Sequence, residues 1–342
     1  MSDEYAFDCA ASGQPLRFGT YRVVDRIAEG GMGLIFRAQD LRSGRLVAIK
    51  TVRSRREVDA AAIRREIITL SQLRHPGIVR LHTYDAESGL PWMALELLAG
   101  RTLAEEISWY WPEATTGAGA RRDQTEETEE LPTAPACRHR DRAPGPVRST
   151  FPVAGGGHLR DACSVITQIC RALDHVHRHG LVHRDVKPGN VFLGKDSRTT
   201  LLDFGLACAA GAMRENEVGV GTMEYAAPEQ ICGGSVDRRA DIYSLGCVLY
   251  ELVTGRLPFR GDSASEIAAC QIRRKAVAPS ALRVDVPGQL DDLVMSMLAK
   301  TPAHRPDSVT EVGWRLANIA RSVSKRHVLS IDDAHHRFRQ AG

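Results

Sequence analysis

The spacing of apolar residues divides the chain into a strand-rich beginning and a helix-rich remainder. Over residues 18–52, runs such as Tyr21-Arg22-Val23-Val24 and Leu46-Val47-Ala48-Ile49-Lys50 carry β-branched side chains between glycine-containing turns, which predicts strands. Ile63, Ile67, Leu70 and Leu73 recur at intervals of four and three and predict a helix over 58–74. Two more apolar runs, Ile78-Val79-Arg80-Leu81 and Trp92-Met93-Ala94-Leu95-Glu96-Leu97, read as strands. From about 158 the period becomes helical. Ala162, Val165, Ile166, Ile169, Leu173 and Val176 line one side of a helix over 159–179, and further helices are predicted over 239–254, 263–274, 288–299 and 308–322.

Between these regions the pattern lapses, roughly from 112 to 157. That stretch holds Thr115-Thr116-Gly117-Ala118-Gly119, the acidic patch Glu126-Glu127-Thr128-Glu129-Glu130, several prolines and Gly155-Gly156-Gly157. Such a composition cannot bury enough apolar area to order itself, so disorder is expected. A tolerated surface insertion is favoured over a regulatory or docking role.

Length and composition narrow the class. A chain of 342 residues can hold two lobes around one cleft. Its formal net charge of +3 is too small to suggest a nucleic-acid partner. The eight cysteines are scattered with no Cys-x-x-Cys pair, so reduced thiols are expected rather than zinc ligands or a disulfide framework. Cys208 is read as a small side chain before a redox handle. Ser2-Asp3-Glu4 does not begin a secretory signal, and no apolar run approaches the roughly 18 residues a bilayer requires. A cytoplasmic protein without a membrane anchor is therefore expected.

Candidate chemistry concentrates in His183-Arg184-Asp185-Val186-Lys187-Pro188-Gly189-Asn190 and Asp203-Phe204-Gly205. Phosphoryl transfer needs a group that orients the attacking hydroxyl and oxygen ligands for a metal; Asp185 suits the first task, Asn190 and Asp203 the second. On these motifs the chain resembles the eukaryotic-type Ser/Thr protein kinase family. Glu29-Gly30-Gly31-Met32-Gly33 and the Arg/Ala-rich composition suggest its bacterial branch. The resemblance implies an α+β, bilobal protein-kinase fold. A kinase domain over 18–322 would comprise a small β-rich N-lobe (about 18–95) with one main helix and a larger, mostly helical C-lobe (about 100–322). Residues 1–17 would form an N-terminal segment and 323–342 a tail. Val328 to His335 faintly resembles a second ATPase motif, but no Gly-x-x-x-x-Gly-Lys-Ser/Thr segment accompanies it, so a short polar tail is expected.

The resemblance further implies transfer of the ATP γ-phosphoryl group to Ser/Thr hydroxyls of protein substrates, autophosphorylation included, with Mg2+ or Mn2+ as the metal. Asp185 would orient the hydroxyl and accept its proton, Lys187 would neutralise the transferred group, and Lys50, held by Glu66, would grip the α- and β-phosphates. Ile27, Ala28, Glu29, Gly30, Gly31, Met32, Gly33, Leu34 and Ile35 would form the glycine-rich loop, which departs from the family pattern where Ala28 replaces its first Gly and Ile35 its Val. The nucleotide set would be completed by Ala48, the gatekeeper Leu95, hinge residues Glu96 and Leu98, and Phe192 beneath the adenine. Lys187 and Thr222 both favour Ser/Thr specificity. Arg305 is the expected partner of Glu229 in Ala227-Pro228-Glu229, and Asp241 the expected anchor of the catalytic-loop backbone. Leu70, Leu81, His183 and Phe204 would form an apolar stack.

Two questions stay open at this level. No Ser, Thr or Tyr lies between Gly205 and Gly221, so either Glu215 or Glu217 supplies a permanent carboxylate to Arg184, or Thr222 is phosphorylated. The alternative function is a nucleotide-binding pseudokinase scaffold, resting mainly on Ala28 and opposed by the retention of Lys50, Asp185, Asn190 and Asp203. A homodimer through the N-lobe is not decided by the sequence.

Overall fold

The computed structural model describes residues 16–30, 33–53, 57–87, 90–112, 157–211 and 223–323. Gly31, Met32, Glu215, Glu217, Thr222, the interior of the expected insertion and nearly all of the tail lie outside the described residues. Among the described residues, chain contacts define two compact units. One contains residues up to Gly100 and takes back Phe192–Cys208; the other contains Arg101–Val191 and the chain from Ala209 onward.

The first unit is built on a six-stranded antiparallel sheet. Its strands are β1 (Arg17–Phe18), β2 (Tyr21–Gly30), β3 (Gly33–Asp40), β4 (Leu46–Thr51), β5 (Leu81–Asp85) and β6 (Trp92–Glu96), in the order β1-β2-β3-β4-β6-β5. Strand alternation sends Leu34, Phe36, Val47, Ile49 and Ala94 to one face, where they pack with Phe18, Tyr21 and Trp92. Tyr21 and Phe18 lie against the Trp92 ring at centroid distances of 5.8 and 5.9 Å. Helix α1 (Glu57–Gln72) buries Ile63, Ile67 and Leu70, and Glu66 with them.

One expected strand is displaced. The run Ile78-Val79-Arg80 is not a ladder strand; β5 begins only at Leu81. Ile78 and Val79 are buried, but they meet the chain at Leu201: Val79 N–H donates to the Leu201 carbonyl at 3.0 Å and Leu201 N–H to Gly77 at 2.8 Å. A short buried run has the same apolar signature whether or not it joins a sheet.

The second unit is helical. Thr102 caps α2 (Leu103–Tyr110) through a capping box with Glu105. Helix α3 (Gly157–Arg178) buries Ala162, Ile166, Ile169, Leu173 and Val176 as its periodicity predicts, but the buried stripe is completed by Cys163 and Cys170, whereas Val165 is only partly covered. Helix α4 (Arg238–Thr254) is buried nearly all round, as suits a helix through the middle of a core. Asp237 caps its start, and Gly255 ends it in a left-handed conformation. Helices α5 (Ala264–Arg273), α6 (Gly288–Met297) and α7 (309–323) complete the unit. Among the described residues no helix is long and apolar enough to cross a membrane.

Candidate active site

In the first unit, strand register sorts the expected nucleotide residues by face. Ile35 lies opposite both Ala28 and Lys50, and Ala48 opposite Leu95, so all five share the face away from the aromatic cluster. Leu34 points to the other face and is a core residue. The glycine at 33 has a local cause. Its φ is +119°, and a Cβ there would stand 2.2 Å from the Thr51 carbonyl oxygen. Glu96 N–H donates to the Arg80 carbonyl at 2.9 Å while its carboxylate takes Arg198 at 2.5 Å. Leu98 follows the strand end and Phe192 is half-buried in β7 (Val191–Gly194).

Lys50 is the electrostatic centre of this unit. Its ammonium donates to both Glu66 oxygens at 2.9 and 2.7 Å and lies 3.3 Å from Asp203. Burial alone would lower the Lys50 pKa, but the two carboxylates outweigh it and hold the ammonium above its ordinary value. Burial, with Asp203 nearby, pushes Glu66 up against the pull of Lys50. Phe204 N–H also donates to Glu66, at 3.3 Å, which ties the Asp-Phe-Gly motif to the same carboxylate. Asp203 has φ +50°, a left-handed conformation rare outside glycine.

In the second unit, the Asp185 carboxylate is held from two sides. Lys187 Nζ lies 2.9 Å from Asp185 Oδ2, and Asn190 Nδ2 donates to the same oxygen at 2.8 Å and to the Asp185 carbonyl at 3.0 Å. This leaves the Asn190 amide oxygen as the donor suited to a hard cation; the Asp203 carboxylate is of the same chemical kind. Taken one by one, both oxygens are of the hard kind that magnesium takes.

The loop itself is strained and pinned. Arg184 has φ +66°. Its N–H donates to Asp241 Oδ1 at 2.8 Å, its carbonyl accepts from Gln230 Nε2 at 2.9 Å, and His183 N–H reaches Asp241 Oδ2 at 2.9 Å. Asp241 therefore anchors this backbone from α4, as its motif suggests. Arg305 likewise meets Glu229 through a two-point ion pair. Leu70, His183 and Phe204 are buried and Leu81 is partly covered, each within its own unit.

With this geometry in place, the profile of the protein kinase domain matches residues 21–130 and 150–313. The chain belongs to the protein kinase domain family. This kinase domain is 33% identical over 303 residues to the Ser/Thr-protein kinase PknB of Mycolicibacterium smegmatis, an alignment covering 85% of this chain and 41% of that protein. It is 32% identical over 309 residues to a probable Ser/Thr-protein kinase PknB of Bifidobacterium longum, covering 86% and 38%. Identity to PknB of Mycobacterium tuberculosis is 32% over 310 residues, covering 87% and 42%. The chain thus spans about two fifths of the length of these curated relatives.

Two supports of the kinase domain leave no signal in the sequence. His177 Nε2 lies 2.8 Å from Asp241 Oδ2, a third contact on that carboxylate. Gln230, directly after Ala-Pro-Glu, accepts from Ala227 N–H at 3.2 Å and donates to Arg184. Both are polar contacts to chain remote in sequence, which leave no periodic trace.

Proposed function

We propose that this chain is a protein Ser/Thr kinase that transfers the γ-phosphoryl group of ATP to Ser or Thr hydroxyls of protein substrates, autophosphorylation included. The observation that carries this reading is the preparation of Asp185. Lys187 and Asn190 both hold its Oδ2, which fixes the orientation of the carboxylate beside a cation. In that state it accepts a hydrogen bond from a substrate hydroxyl and takes its proton as the oxygen attacks. Lys187 balances charge on the transferred group, and Lys50, aligned by Glu66, holds the α- and β-phosphates. Asn190 and Asp203 would hold Mg2+ or Mn2+, which when bound neutralises charge on the phosphate oxygens. The face bearing Ala28, Ile35, Ala48 and Leu95 offers an apolar surface for the adenine, and the backbones of Glu96 and Leu98 its polar edge. Lys187, together with the names of the relatives, supports Ser/Thr over Tyr as acceptor.

Transfer of radiolabelled phosphate from ATP by the wild type and by Asp185→Asn decides the matter. The variant should lose roughly 10²- to 10⁴-fold in rate, the usual worth of a positioned base. Equal incorporation by both proteins refutes the kinase reading.

A further inference from the structure

A buried chain of polar groups runs through the second unit and plays no part in the chemistry described above. Lys300 Nζ lies 2.9 Å from the Tyr243 hydroxyl, which lies 2.5 Å from Gln271 Oε1, and Gln271 Nε2 lies 3.2 and 2.6 Å from the carbonyls of Met223 and Glu224. Tyr243 and Gln271 are fully buried. The direction of every bond follows from the two ends. The carbonyls of Met223 and Glu224 only accept, so the Gln271 end facing them is its NH2 and its oxygen faces Tyr243. The Tyr243 hydroxyl must then donate to Gln271, and it accepts from Lys300, whose ammonium has only donors. The two carbonyls thus fix the amide at one end, and the charge at the other end fixes the hydroxyl that braces it.

We propose that Gln271, braced through Tyr243 by Lys300, is a positioning residue for the protein substrate: it holds the backbone of 223–226, between Thr222 and Ala227-Pro228-Glu229, in the shape that accepts the polypeptide. The inference rests on the kinase reading for its substrate, while the loop geometry stands apart from it. Ala226 N–H donates to the Met223 carbonyl at 3.3 Å, so the loop closes on the same oxygen that Gln271 holds. Lys50 and Asp185 take their polar contacts from other groups, Glu66 and Asp203 for the first, Lys187 and Asn190 for the second. Loss of the Gln271 contacts should therefore weaken protein-substrate binding and spare ATP.

Lys300 makes the device sensitive to pH. It sits 3.7 Å from the centroid of the Phe259 ring and 5.3 Å from that of Tyr243, and burial pulls its pKa down to about 8. The titratable and charged groups facing it are Tyr243 and Cys247 from α4, Cys270 from α5 and Arg305 from the following turn. Above that pH the amine no longer has only donors to offer, and Tyr243 loses its enforced direction.

The test is steady-state kinetics with a protein substrate, together with amide hydrogen exchange over 223–226, in the full chain. Tyr243→Phe and Gln271→Leu should raise KM for the protein substrate roughly tenfold, the worth of one to two hydrogen bonds, with KM for ATP unchanged and Ala226 exchanging faster. In the wild type the protein-substrate KM should climb as pH passes 8; Lys300→Arg, which stays charged, should abolish that climb, and Lys300→Met should resemble Tyr243→Phe at every pH. Parallel changes in both KM values, or unchanged exchange over 223–226 in all variants, overturn the proposal. Should the wild type transfer no phosphate, the kinase reading falls and exchange alone decides whether Gln271 holds the loop. Should Gln271→Leu fail to fold, the two Lys300 variants decide the proposal by the same readouts.

Discussion

Arg305 meets Glu229 with both arms of its guanidinium, Nη1 to Oε1 at 2.6 Å and Nη2 to Oε2 at 2.8 Å. It also donates to three backbone carbonyls: Nε to Ala299 at 2.8 Å, Nη1 to Arg239 at 2.9 Å and Nη2 to Lys300 at 3.1 Å. The Arg305 side chain is fully buried. Lysine has three donors on a point charge and cannot reproduce this fork. Arg305→Lys should lower stability by about 3 kcal/mol, the lower end for breaking a buried pair, and Glu229→Gln by a comparable amount. Urea unfolding checks both, and a loss under about 1 kcal/mol in each would mean that the pair is structurally idle.

A second prediction concerns Asp241. Burial would raise its pKa, but hydrogen bonding and charge from His177, with His183, outweigh that and leave it below the usual carboxylate value of 3.8. A carboxyl whose folded pKa is depressed stabilises the fold above 3.8, and that contribution disappears as pH falls through the lower folded value. Asp241→Asn removes the charge and one acceptor oxygen, so its stability should vary less with pH below 4 than that of the wild type. At pH 7 it should be less stable by about 2 kcal/mol, the order of one charge-assisted bond, with slower turnover because the strained Arg184 backbone loses its anchor. Guanidinium unfolding from pH 3 to 7 reads the first effect and phosphotransfer rates the second.

These anchors separate what is legible in the sequence from what is not. Asp241, Arg305 and Glu229 stand in motifs, and as expected the structure pairs Arg305 with Glu229 and sets Asp241 against the Arg184 backbone. Helix α1 is legible because Ile63, Ile67 and Leu70 repeat at helical spacing, and the observed helix begins and ends within two residues of the expected bounds. Ile78 and Val79 mislead, since burial against Leu201 gives an apolar run without a strand. Cys163 and Cys170 escape notice because cysteine behaves as a small hydrophobe that a periodicity count undervalues. His177, Gln230 and Gln271 are illegible for a different reason: their contacts are polar and join distant parts of the chain.

A third prediction follows from His158, at the start of α3. Its Nε2 lies 2.8 Å from the Leu252 carbonyl, which only accepts, so that nitrogen carries the proton. The ring stacks on Tyr110 at 4.3 Å and meets Trp111 edge-on at 5.7 Å. Burial, aided by Arg283, lowers its pKa below the ordinary 6.5. Between the folded value and 6.5 the unfolded chain binds more protons, so stability falls as pH drops through that window. Melting temperatures between pH 5 and 7.5 should therefore slope less in His158→Gln, which keeps a donor for Leu252 but does not titrate. Identical slopes would show that His158 is not held neutral.

Ala28 and Gly33 make the last prediction, because the glycine-rich turn departs from its family at one of them and not at the other. Ala28 is exposed on β2 and paired with Ile35, so Ala28→Gly relieves nothing and should lower stability by no more than about 1 kcal/mol through added backbone freedom. Gly33 differs. Its φ of +119° excludes an ordinary side chain, and its missing Cβ makes room for the backbone oxygen of Thr51, which cannot move without breaking the β3–β4 ladder that sets Ile35 opposite Lys50. Gly33→Ala should lower stability by about 2–3 kcal/mol, in the range for strain at a special backbone position, and weaken ATP binding by shifting Ile35 against Lys50. Thermal melts with nucleotide titrations on both variants separate the two cases. If Gly33→Ala is as mild as Ala28→Gly, close packing against Thr51 is not what requires glycine there.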